Sequence, residues 1–98
     1  MALSDIDKKV LNGLIDHTIM DIKPVVECAR IPEFRGMLKD KDASDFSLGM
    51  ALAEINGSFL IGFFKRNNRL ITKDDRDEMF RILGRRVGEI SEAISKCG

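Results

Sequence analysis

Tryptophan and tyrosine are absent, and the six aromatic residues are all phenylalanine. Stacking platforms for bases or sugars, which use flat rings with a polar edge, therefore have little material. Cysteine occurs only at Cys28 and Cys97, too few for a disulfide scaffold and without metal-ligand spacing. Proline is equally scarce, and Pro24 and Pro32 both fall in one short stretch. Net charge is missing too: sixteen basic residues balance sixteen acidic ones, so no overall field draws the chain to nucleic acid or anionic lipid. Met1 to Asp5 hold neither a basic cluster nor the start of an apolar leader. A cytoplasmic location with reduced thiols, and a complete small protein, are the corresponding expectations.

What remains is ordinary globular composition, 44 % hydrophobic and 33 % charged over 98 residues. That suits one helical domain, residues 1–98, with a thin single core. Ser4 is placed to cap a first helix, with Asp5 and Asp7 in its first turn. Ile6, Val10 and Leu14, with Leu11, Ile15 and Ile22, recur at helical spacing until Pro24 stops the pattern. Residues 24–41 are harder to read. Pro24 can open a short helix through Arg30, Pro32 can kink or restart it, and Phe34, Met37 and Leu38 fit one more core-facing turn. A turn over 40–45 then leads to a cap at Asp42 or Ser44.

The segment from about Asp45 to Lys65 carries most of the information. On a helical projection Ser47, Glu54, Ser58 and Lys65 form one narrow polar stripe. Leu48, Leu52, Ile55, Phe59 and Phe63 fill one flank, and Phe46, Met50, Leu60 and Phe64 the other. A helix with so little polar surface has to be covered on most of its circumference, so it is predicted to be innermost or to lie at a subunit interface. Phe46–Phe64 approaches the ~20 residues a bilayer requires. Glu54 at its midpoint, which costs about 2.5 kcal/mol or more there, argues against a membrane span. Thr72 and Asp75 then resemble a capping box for a last helix, in which Phe80, Leu83, Val87, Ile90, Ile94 and Cys97 form a heptad-like seam. The fold class read from these patterns is all-α, a compact bundle of about four helices.

Candidate functional residues are few. Gly49, Ala53 and Gly57 share a sector of the apolar helix, and small residues there let another backbone approach, within the chain or between two chains. Asn56 lies among the apolar positions, where its amide pairs with its own copy across an interface or with a carbonyl or water of a monomer. His17 has Asp21 one turn on, yet no third ligand is evident in sequence, so no metal is expected. Asp40, Asp42 and Asp45 depart from a calcium loop, because Asp45 stands where glycine is needed and Ala51 where a glutamate closes the site. Residues 65–98 hold nine basic and six acidic side chains. Lys65, Arg66, Arg69, Lys73, Arg85 and Arg86 are the candidates for anion or nucleic-acid contact, opposed by Asp77–Arg81 and Arg85–Glu89 spacings that suit ordinary surface pairs.

The function expected from these residues is a non-enzymatic helical interaction module that forms a homodimer through Gly49, Ala53, Asn56 and Gly57. Four helices in 98 residues can hardly cover both the apolar helix and the last-helix seam, so a second chain would complete the burial. The alternative is a nucleic-acid-associated regulator using the basic loop 65–73 and the arginines of the last helix. No cofactor, metal, membrane or catalytic group is expected, since no nucleophile stands beside a base in a recognisable pattern.

Overall fold

The two helices that frame the chain, one near each end, begin where the sequence supplies a side-chain cap. In the computed structural model, which describes residues 3–38 and 43–97, the order is α1 (Asp5–Met20), α2 (Lys23–Ala29), α3 (Pro32–Leu38), α4 (Ala43–Asn67) and α5 (Lys73–Lys96). Ser4 is extended and its hydroxyl accepts the Asp7 N–H at 3.1 Å, the expected cap of α1. Thr72 and Asp75 form the reciprocal capping box at α5. At the end of α4, Asn68 turns into the left-handed region with φ 52°, and its N–H closes on the Phe64 carbonyl at 2.8 Å.

The fold is all-α, with five helices among the described residues instead of about four. The two prolines explain the difference. Each sits in the first turn of a short helix, where no N–H donor is required and the ring presets the backbone. Residues 24–38 therefore make two helices where a single kinked one was also compatible with the sequence. α4 begins at Ala43, so Ser44 lies inside the helix and does not cap it. Asp40 and Asp42, and the side chains of Met37 and Leu38, lie outside the described residues.

α1 packs against both α4 and α5, α4 packs against α5, and α2 covers part of α4. α3 attaches to α2, and its Phe34 ring meets Phe46 of α4 at 5.6 Å. The long helices run together, which gives extents of 42 × 22 × 18 Å. α1 supplies Leu11 and Ile15 to the core, and Ile22, Val25 and Val26 close its side.

The buried positions of α4 differ from the straight stripe expected for it. Ser47, Ala51, Ile55, Phe59 and Phe63 are buried, each four residues after the last. Such a row advances around the helix by about 40° per step, because 3.6 residues make one turn. Ser47 thus leaves the polar stripe and enters the core at one end, while Phe63 enters at the other. The side chains grow along the row from Ser and Ala to Phe and Phe.

α4 packs against α1, α2 and α5, as the central helix of the bundle, with its fully buried side chains on one winding ridge and Leu48, Met50 and Leu52 half-buried beside it. The α5 seam holds at Leu83, Ile90 and Ile94, which are buried, and differs at its start. Met79 is fully buried while Phe80 remains 51 % exposed, and Val87 and Cys97 are only partly covered.

Candidate functional site

The side of α4 opposite its buried ridge is apolar and partly uncovered, with Phe46, Met50, Gly57 and Leu60 half-buried. At 100° per residue, Phe46, Gly49, Met50, Ala53, Gly57, Leu60, Ile61 and Phe64 cluster on this side, and none carries charge. Ile61 is 62 % and Phe64 49 % exposed, and Gly49 and Ala53 are exposed as well. Glu54, also exposed, stands at the edge, beside His17 and Thr18 of α1. An 18-residue window of α4 has a mean hydropathy of 1.4, enough by length and composition for a membrane span.

A Cβ built on Gly49 or Gly57 meets nothing within 4 Å, so neither glycine is kept small by another helix of this chain. Asn56 is half-buried on the flank of the same face, and its side-chain amide bonds no other described residue. Gly49→Ala and Gly57→Ala are each expected to stabilise the isolated chain by about 0.5–1 kcal/mol, since Ala favours a helix and has room here. Thermal melts at low protein concentration check this. A loss of stability there would mean that the chain itself packs against these positions.

The basic candidates divide into two groups. Arg66 gives its Nε–H to Asp7 at 2.8 Å, and Arg69 binds Asp75 at 2.7 Å. Both carboxylates are buried, and both are the third residue of a helix, already capped by Ser4 or Thr72. Burial pushes the Asp7 carboxyl up, but hydrogen bonds from Arg66, Ser4 and Asn67 outweigh it and leave the group below its ordinary value. The Arg69 guanidinium, with help from the Thr72 N–H and hydroxyl, overcomes burial at Asp75 and holds it at about 2. The arginines also lie over rings, Arg66 5.7 Å from Phe59 and Arg69 4.9 Å from Phe63. The last turn of α4 and the loop after it thus form a clasp joining the starts of α1 and α5.

Of the other basic candidates, Lys73 binds Asp77 at 2.7 Å, and Arg86 binds Asp16, Glu89 and Asn12. Lys65 and Arg85 have no ion pair with a described residue. Four of the six basic candidates therefore serve the fold's own carboxylates. Sequence reading placed Asp7 in a first turn but missed its burial, because Arg66 lies 59 positions away.

His17 and Asp21 stay at the surface, and the Asp21 N–H closes on the His17 carbonyl at 3.0 Å to end α1. Among the described residues no three His, Cys, Asp or Glu side chains converge on a point that could hold a metal. Cys28 and Cys97 are free and half-buried. Comparison with known proteins finds no matching family model, no similar curated protein and no similar solved structure.

Proposed function

We propose that this chain is a helical interaction module that pairs with a second copy of itself through the outward face of α4. The observation that carries this reading is the charge-free apolar face of α4, on which Ile61 and Phe64 stand exposed beside Gly49 and Ala53. Each glycine in a helix interior costs up to about 1 kcal/mol against Ala, and nothing within the described chain offsets that cost.

A second helix would supply the missing neighbour. In an antiparallel crossing centred on Ala53, Gly49 of one chain meets Gly57 of the other, and Phe46 meets Leu60. Small residues at the centre let the backbones approach, and large apolar residues close both ends. One patch then serves both chains, as a twofold contact requires. A face without charge offers little to select an oppositely charged partner, which favours the self-pair.

The crossing gives a direct chemical test. In a Cys28→Ser, Cys97→Ser background, Ala53→Cys is expected to form an intermolecular disulfide on mild oxidation, while Ser91→Cys on exposed α5 is not. Equal cross-linking of the two variants, or none at Ala53→Cys, would remove the antiparallel pair. Recovery of the chain with lipid vesicles instead of as a cross-linked dimer would assign the same face to a membrane.

A further inference from the structure

Sequence spacing pairs Asp77 with Arg81 and Arg85 with Glu89, and the structure uses both carboxylates elsewhere. Asp77 binds Lys73 at 2.7 Å, and Glu89 binds Arg86 through its Nε–H at 2.9 Å. Arg81 and Arg85 are left exposed one turn apart on α5, without a hydrogen bond or ion pair to a described residue. Arg81 retains only the longer-range field of Asp77.

Both free arginines line a cleft of about 340 Å³ between α1 and α5, and Lys8 and Asn12 form the facing wall. Glu78 is the one carboxylate among the lining residues, and it is already engaged. It accepts the Leu3 N–H at 2.9 Å and lies 3.9 Å from the Lys8 ammonium. Arg86 closes one end, held rigidly by Asp16, Glu89 and Asn12. Ile82 provides the apolar part of the lining, and no aromatic ring reaches the cleft.

The geometry points to a binding site for a small anion of diphosphate type, held by Arg81 and Arg85 with Lys8 opposite. Positions four apart on a helix stand about 6 Å apart, so the two guanidinium forks can each take one phosphoryl group. Such charge-assisted, bidentate contacts are the strongest that exposed arginines make. The volume lies at the lower end of the roughly 300–1,000 Å³ typical of small-molecule sites, too small to enclose a macromolecule. Without a ring for stacking, recognition falls on the phosphoryl groups, and any remainder of the ligand extends towards solvent.

Inorganic pyrophosphate, titrated into isotope-labelled protein at low salt, tests the site. Saturable NMR shifts are expected on residues lining the cleft, weakening as salt rises. The Arg81→Gln/Arg85→Gln double variant should bind at least tenfold more weakly, while Lys9→Gln, outside the cleft, should bind as before. Both arginines are exposed, and far-UV circular dichroism confirms that the variant folds; Lys8→Gln, weaker by several-fold, provides a second route. Absence of saturable shifts, unchanged binding by the double variant, or tighter binding of a short single-stranded oligonucleotide than of pyrophosphate would overturn the assignment.

Discussion

Phe59→Ala is expected to lower the unfolding free energy by about 3–5 kcal/mol, the usual cost of removing a fully buried ring. Phe59 is 0 % exposed, lies 6.0 Å from the Phe63 ring, and has the Arg66 guanidinium at 5.7 Å. Truncation would empty the widest part of the core and remove the surface on which Arg66 rests. A domain of this size is stable by roughly 5–15 kcal/mol, so the variant should stand near the edge of unfolding. Phe64→Ala, one position round the same helix turn from Phe63, is expected to cost under about 1 kcal/mol in the isolated chain, because half the ring is already in water. Urea denaturation at low concentration compares the two. Equal losses would contradict the ridge-and-open-face division of α4.

Asp75→Asn is expected to cost about 2 kcal/mol at neutral pH and progressively less in acid. The Arg69 hydrogen bond, acting against burial and assisted by Thr72, holds the Asp75 carboxyl at about 2, below its ordinary 3.8. A carboxylate more acidic in the folded state stabilises fully above its unfolded value. That contribution is lost as pH falls through the folded value, here between about pH 4 and pH 2. The wild type should therefore lose its advantage over Asp75→Asn across that window, and Asp7→Asn should follow the same direction. Denaturation midpoints at pH 7, 4 and 2.5 measure the gap. A gap that stays constant would mean that the Arg69 contact contributes nothing specific to the folded state.

The helical class and the two main caps were legible because they rest on local chemistry. Ser4 and Thr72 announce helix starts within three residues of their partners, and the apolar spacing of α1 and α4 needs only one turn of context. Two kinds of feature were not legible. A ridge that winds around α4 depends on the angle of neighbouring helices, so Ser47 looked polar and exposed although it is 2 % exposed. Competition among charges likewise depends on rotamers and distant helices. Arg66 pairs with Asp7 rather than a helical neighbour, and Arg86 takes the glutamate that spacing offers to Arg85. The small-residue positions were visible in sequence, but that no other described residue crowds Gly49 or Gly57 depends on how the helices pack.

The pairing of two chains along α4 is tested most directly by light scattering behind a sizing column, at two protein concentrations, for the wild type and Gly57→Leu. The wild type is expected at twice the chain mass of 11.0 kDa, declining on dilution, and Gly57→Leu at the chain mass itself. A wild type at 11.0 kDa even at high micromolar concentration, or a dimer unaffected by Gly57→Leu, would contradict it.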